Sequence, residues 1–224
     1  MATQTAAPAG TPARTHVDPF SERFVEWVKA HKQIAGWIGA ALVVALVLFV
    51  WTLSSNRRSE EIASRELQGA RFAFENQNLP LAASELARIV ENYSGTNAAQ
   101  EGRLLLAQVR LLQGQPQQAI EVLRDFAPGA GKAFRAQAWG LLAAAHENLG
   151  RFREAAEAYQ KGAEEARMDF LKAQMLSDAG RAWTSAGDTT KAIAVYRRIV
   201  NDFPNEVAVT EAKVRLGELT KGAL

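Results

Sequence analysis

The chain has 224 residues, of which 48% are apolar, so it can bury the core of one folded domain and is not an intrinsically disordered protein. Its formal net charge is +2, and its basic residues are interspersed with nearly as many acids, which argues against nucleic acid as a partner. It has no cysteine, which excludes disulfides, thiolate metal sites, cysteine nucleophiles and an acylated cysteine.

Two different segments precede the longest apolar run. Residues 1–17 are rich in Ala, Thr and Pro and have no apolar period, which predicts a disordered tail. Residues 18–33 open with Asp18 and Pro19, a helix-start signal, and Phe20, Phe24 and Trp27 then recur on one helical face. This pattern indicates a short juxtamembrane amphipathic helix. The alternative, that these residues are the first turns of the next helix with a mixed flank, stays open.

Residues 34–53 are free of charged side chains. At about 1.5 Å rise per residue such a helix crosses a hydrocarbon core of about 30 Å, so the sequence predicts a transmembrane helix. Trp37 and Trp51 lie near its ends, where indole rings prefer the headgroup level. A buried soluble helix and a cleaved signal peptide are the alternatives. The length of the run, its distance from Met1 and the lack of an Ala-x-Ala site favour a retained signal anchor.

Small residues recur at four-residue spacing in this span. Ala35 with Gly39, and Gly36 with Ala40, form a candidate face for close packing against another membrane helix. The alternative is that small residues are simply common in membrane helices. The flanking charges do not decide the orientation, because three basic residues lie within 15 positions on each side. They are Arg23, Lys29 and Lys32 before the span, and Arg57, Arg58 and Arg65 after it.

Beyond a linker expected at residues 54–63, the chain is dominated by good helix formers and lacks alternating β-branched runs, which predicts an all-α domain. A self-comparison of residues 64–204 shows four columns at spacings of 36 or 37 residues. The first column is a small residue in the first helix of each copy: Ala70, Ala107, Ala143 and Gly180. The second column lies in the turn after that helix: Gln77, Gly114, Gly150 and Gly187. The other two lie in a second helix: Ala82, Ala119, Ala155 and Ala192, then Leu86, Leu123, Tyr159 and Tyr196.

These columns suit stacked helix pairs. Two helices approach closely only where side chains are small, glycine at the turn supplies a left-handed C-cap, and the bulky fourth column fills the space between pairs. The pattern resembles the tetratricopeptide repeat, most clearly in the third copy, with Trp139 and Gly150, and in the fourth, with Gly187 and Tyr196. The resemblance implies an α-solenoid of about four helix pairs after a single N-terminal transmembrane helix. Residues 205–224 resemble a first helix without a second one, which predicts a C-terminal capping helix.

The order of anchor and repeats is similar to that of the YfgM-type ancillary subunits of the bacterial Sec translocon. This resemblance implies a single-pass protein of the bacterial inner membrane with a cytoplasmic N-terminus and a periplasmic repeat domain. The implied partners are proteins, namely translocon subunits, periplasmic chaperones or exported chains, together with the lipid bilayer.

The family resemblance also assigns a protein-binding groove to the first helices. Its register places Leu67 and Phe74 there from the first copy, and Leu104 and Leu111 from the second. The later copies contribute polar residues such as Glu147 and Thr184 at the corresponding positions, so an apolar partner segment is expected at the early copies. The alternative is that the apolar residues pack against the juxtamembrane linker.

The sequence contains no catalytic constellation, and no cofactor or metal site is predicted. The three histidines are far apart, and His146 occupies a position where repeats carry an interhelical aromatic, so packing is favoured over ligation. The stretch "GAGK" at residues 129–132 lacks the P-loop spacing and is expected to connect two repeats. The acid pairs at residues 60–61 and 164–165 are interpreted as solvated helix faces.

Two functions remain open. One is a membrane-anchored scaffold or chaperone-like adaptor at the Sec translocon that handles exported proteins. The other is a structural or assembly subunit of another cell-envelope or photosynthetic membrane complex. The identity of the partner, the oligomeric state, and whether groove or anchor mediates binding are not specified by the sequence.

Overall fold

The computed structural model describes residues 30–222, except for the side chains of residues 34, 35, 38, 39 and 53. The expected tail at 1–17 and most of the expected amphipathic helix at 18–33 lie outside these residues. The described part is helical, with bounds as follows: α1 Lys32–Glu75, α2 Leu79–Asn92, α3 Asn97–Leu112, α4 Pro116–Leu123, α5 Phe126–Gly129, α6 Arg135–Asn148, α7 Phe152–Glu165, α8 Asp169–Ser185, α9 Thr189–Asp202 and α10 Ala208–Thr220.

Helix α1 is longer than the sequence indicates. It continues without a break through residues 54–63, so the linker expected there is instead helical. The physical reason is local, because "SSNRRSEEIA" contains neither Gly nor Pro and offers the backbone nothing that ends a helix. The described residues nevertheless fall into two compact units, which divide between Ser54 and Ser55.

The N-terminal half of α1 is apolar and exposed. Among the described helices, α1 alone is long and apolar enough to cross a membrane, by length and composition. The large apolar side chains from Leu42 to Trp51 are between 54% and 67% exposed, and Trp37 is 79% exposed. Patches of this size on a folded protein mark a surface that contacts a partner or a membrane.

The second unit is a stack of helix pairs in the register that the sequence predicts. The C-terminal part of α1 pairs with α2, and the pairs α3 with α4, α6 with α7 and α8 with α9 follow. The small residues of the first-helix column are fully buried, as Ala70, Ala107 and Ala143 show. The second-helix alanines, represented by Ala82 and Ala192, are equally inaccessible, so both columns mark the close helix crossings.

The inter-helix turns also follow the register. The turn residues have positive φ angles in all four copies: 59° at Gln77, 69° at Gly114 and Gly150, and 76° at Gly187. In each copy the residue after the turn donates its N–H to a carbonyl five residues earlier, as from Asn78 to Ala73. This is the Schellman pattern that satisfies the last carbonyls of the first helix. Gln77 adopts the same conformation despite its Cβ.

Three apolar clusters join successive pairs and form one extended core. The first combines α1, α2 and α3, the second α3 to α6, and the third α6 to α10. The connector at residues 125–134 contains the four-residue helix α5, whose Phe126 and Ala127 are buried in the second cluster. The segment with "GAGK" therefore lies between two repeats, as expected. Helix α10 follows the last pair and buries Val209, Ala212 and Leu216.

Candidate functional site

A cleft opens between the first helices of the first three pairs. It encloses about 390 Å³ and is lined by residues of α1, α3 and the start of α6. We call it the first-helix cleft; its residues are Arg71, Phe74, Glu75, Glu101, Leu104, Leu105, Gln108, Phe134 and Gln137. Each first helix turns one face toward the core and an adjacent face toward the cleft. The cleft therefore lies where neighbouring helix pairs stack.

The floor of the first-helix cleft is apolar. Leu104 is 3% exposed and belongs to the core, so only an edge of its side chain faces the cleft. Phe74, Leu105 and Phe134 are half-buried and pack on the core clusters from above. An apolar group that enters the cleft would remove more of these side chains from water, at about 25 cal/mol per Å².

Polar side chains surround this floor. The guanidinium of Arg71 in α1 forms an ion pair with the carboxylate of Glu101 in α3, which joins the first two repeats. Gln108 in α3 and Gln137 in α6 are exposed at the rim. Each amide has both donors and an acceptor, the groups that the backbone of an extended peptide requires. The site can therefore bind an apolar side chain and hydrogen-bond the main chain beside it.

The structure separates the four residues expected in the groove. Phe74 and Leu104 line the cleft. Leu67 is 4% exposed and lies in the first core cluster, and Leu111 packs on the second cluster without lining the cleft. An open groove lined by all four is therefore incorrect. The apolar face of a first helix packs against other helices of the stack, so few of its residues remain open to a ligand. Helical periodicity identifies that face but does not show which of its residues are covered.

The cleft residues that sequence reasoning missed carried a signal in the repeat register. Arg71 and Gln108 each follow the small crossing residue by one position, and Arg181 occupies the same column in the fourth copy. Arg71 and Arg181 both form ion pairs with the preceding or following first helix, to Glu101 and Glu147 respectively. This column therefore marks contacts between neighbouring first helices.

Farther along the stack, the first helices are joined by a polar network. Arg181 in α8 contacts Glu147 in α6 and Asp178 one turn earlier in α8. The other carboxylate oxygen of Glu147 accepts a hydrogen bond of 3.1 Å from the Tyr159 hydroxyl. Burial and the neighbouring Glu147 raise the pKa of Tyr159, so the phenol remains a donor. Glu147 is therefore held by Arg181 and Tyr159, and the polar groove expected at the later copies stays a prediction.

His146 does not lie in the first-helix cleft. It is partly buried in α6, and its Nδ1 is buried without a hydrogen-bond partner in the described structure. Burial lowers the pKa of His146, Arg151 lowers it further, and Glu154 acts in the opposite direction. Within residues 30–222 no three His, Asp or Glu side chains come together in a way that could hold a metal ion.

Two of the acids expected to be solvated are structural. The carboxylate of Glu60 in α1 accepts N–H bonds from Asn97 and Ala98, at 2.7 and 3.0 Å, and so caps α3. Glu165 forms an ion pair with Arg135 at 3.2 Å. Glu60 and Glu165 are thus held by fixed N–H or cationic partners, whereas their neighbours Glu61 and Glu164 are exposed.

Of the expected helix-packing face, Gly36 and Ala40 lie on the exposed part of α1. The structure does not describe the exposure of Ala35 and Gly39, so the use of this face for helix packing stays a hypothesis.

Comparisons with known proteins agree with the repeat geometry. The tetratricopeptide repeat-like domain model matches residues 52–177, and a tetratricopeptide repeat model matches residues 176–206. Two crystal structures of the "putative kinesin light chain" of Podosopora anserina with nearly identical TPR-like repeats, one of them a point variant, superpose on the chain. Their TM-scores are 0.57 and 0.56 at 17% identity, over 71% of this chain and 87% of theirs, a similarity of fold alone. No curated protein sequence matches the chain.

Proposed function

The chain belongs to the tetratricopeptide repeat-like domain family, and we propose that it is a scaffold that α1 tethers to a membrane while the repeats hold a protein partner. The repeats imply a protein-interaction function, as in other arrays in which a groove is built from repeated helix pairs. The observation that carries this proposal is the first-helix cleft, in which an apolar floor is bordered by exposed amides. Its proposed ligand is a segment of another polypeptide with a large apolar side chain.

The cleft can be tested by filling it. Gln108→Trp places a bulky side chain over the floor from an exposed position, so it should leave the melting temperature nearly unchanged while weakening capture of an apolar peptide. Gln118→Trp, an exposed position on α4 away from the cleft, is the matched control. Equal peptide capture by both variants would place the ligand elsewhere.

The membrane tether rests on the exposed apolar part of α1. Full-length protein should stay with the membrane fraction during alkaline carbonate extraction, because release would require about twenty apolar residues to enter water.

We further propose that the repeats lie on the periplasmic side of a bacterial inner membrane. The chain has no cysteine, so Ser185→Cys, at an exposed position, provides a single thiol. It should react with an impermeant maleimide in intact spheroplasts; labelling only after lysis would refute this topology.

The proposed location of the scaffold is the Sec translocon, where it would act as a chaperone-like adaptor for exported proteins. The order of apolar helix and repeats supports this proposal. Affinity purification from gently solubilised membranes should recover translocon subunits. Recovery of a different envelope or photosynthetic assembly without them would favour the second function, a structural subunit. Gly39→Ile tests the membrane helix face, since it should reduce recovery of a membrane partner that packs there.

A further inference from the structure

The first-helix cleft contains one carboxylate without a partner. Arg71 and Glu101 neutralise each other through their ion pair. Glu75, which lines the same cleft, forms no ion pair or hydrogen bond through its carboxylate within residues 30–222. The lining of the cleft therefore has one net negative charge, located beside Phe74 at the edge of the apolar floor.

The position of Glu75 in α1 strengthens this negative charge. Glu75 is the last residue of the helix, and no basic residue lies in the last turn. The C-terminus of a helix carries a partial negative charge from its unpaired carbonyl groups, which disfavours an acid there. A neutral residue at this position would make the folded protein more stable. Departures from local preferences of this kind are expected at functional sites.

The charged residues that connect the helices farther along the stack have the same net sign. The charged residues that line the cleft, join neighbouring first helices or lie where α8 meets α10 comprise three arginines and six acids. They are Arg71, Arg181, Arg215, Glu75, Glu101, Glu147, Asp178, Glu211 and Glu218. The whole chain has a formal net charge of +2, so its positive charges lie elsewhere. A surface of opposite sign to the rest of the protein favours approach of a cationic segment.

On these grounds we propose that the first-helix cleft selects an extended polypeptide segment in which a large apolar side chain is flanked by Lys or Arg. This inference rests on the proposed function of the same cleft. The apolar side chain covers Phe74 and Phe134, the amides of Gln108 and Gln137 bind the adjacent backbone, and the cationic group approaches Glu75. A metal ion would suit this place poorly, because the other carboxylate that lines the cleft, Glu101, is already paired with Arg71.

The test uses full-length protein in lipid nanodiscs and short capped peptides with fluorescent labels. Three peptides share one Phe and one Leu in an Ala and Ser background and differ at one position, which holds Lys, norleucine or Glu. Fluorescence anisotropy, corrected with empty nanodiscs, gives each affinity. The Lys peptide should bind about two- to fivefold more tightly than the norleucine peptide, the range expected of one exposed charge pair, and the Glu peptide more weakly than both. The advantage should shrink with added salt.

The protein variants locate the charge that makes the difference. Glu75→Gln should remove the advantage of the Lys peptide and leave binding of the norleucine peptide unchanged. The melting temperature of the Glu75→Gln protein should equal or slightly exceed that of the wild type, because the substitution removes an unfavourable charge at the end of α1. Glu121→Gln, an exposed acid on α4 outside the cleft, is the matched control and should preserve the advantage. Glu75→Lys should reverse the preference toward the Glu peptide.

The outcomes separate the two proposals. If the norleucine and Lys peptides bind the wild type equally, or if Glu75→Gln keeps the Lys advantage, the charge selection proposed here is wrong while the cleft remains a peptide site. If no peptide binds, or binding persists unchanged in Gln108→Trp, the proposed function of the cleft fails as well.

Discussion

The phenol ring of Tyr196 in α9 lies directly against Gly180 in α8, so that a Cβ built at position 180 would be 2.6 Å from the ring Cζ. Tyr196 is fully buried and cannot move aside without disturbing the third core cluster. The fourth repeat therefore requires glycine where the other three carry alanine. The bulky fourth column and the small first column of the register meet physically at this contact.

Gly180→Ala is expected to destabilise the repeat unit by about 1–3 kcal/mol. Alanine gains up to about 1 kcal/mol of helix propensity, but the overlap with a buried aromatic ring outweighs that gain. Gly217→Ala is the matched control, because position 217 is also helical and has nothing within 4 Å of its Cβ site. It should be neutral or stabilising. Urea unfolding curves of both variants measure the difference, and a Gly180→Ala protein as stable as wild type would contradict the close contact.

Gln77→Gly is expected to stabilise the protein by about 0.5–1 kcal/mol. Gln77 has φ of 59°, a conformation in which a Cβ is strained and glycine is not. The reciprocal change, Gly114→Ala at φ of 69°, should destabilise by a similar amount at the equivalent turn. The midpoint of denaturant unfolding is the measurement. Opposite signs for the two variants support the shared left-handed turn, and loss of stability in Gln77→Gly would argue against it.

Glu60→Gln should destabilise the domain by about 1 kcal/mol, whereas Glu61→Gln should have little effect. Glu60 accepts two N–H bonds at the start of α3, and its charge also interacts favourably with the positive helix end. Its neighbour Glu61 is exposed. Thermal unfolding of the two variants at equal ionic strength compares a capping carboxylate with a solvated one. Identical melting temperatures would exclude a capping role for Glu60.

His146 should make the fold less stable in mild acid. Burial lowers its pKa in the folded state, whereas the unfolded state retains a value of about 6.5. Below pH 6.5 the unfolded chain therefore binds more protons than the folded chain, so stability from this group decreases as pH falls and levels off below the folded pKa. His146→Gln should show a smaller loss of stability between pH 7.5 and pH 5.5 than wild type. A loss equal to that of wild type would remove His146 as the cause.

The sequence by itself determined the features that depend on nearby residues. The apolar run at 34–53, the helix-forming composition and the register of small, turn and bulky columns each reflect local backbone and side-chain preferences. In repeat proteins these local preferences predict more of the fold, because each helix pair contacts only its neighbours and the same pattern of residues recurs along the chain. The left-handed turn at Gln77 follows from the register even though the residue there is not glycine.

Only the tertiary structure decided which apolar residues remain available to a ligand. Leu67 and Leu111 share the helical period of a groove residue, but each packs on core residues that are distant in sequence and neither lines the cleft. Likewise, Glu60 has the sequence context of a solvated acid and becomes a cap because α3 begins 37 residues later beside it. Burial and the pairing of charges depend on such long-range contacts, and helical periodicity specifies a face without specifying what covers it.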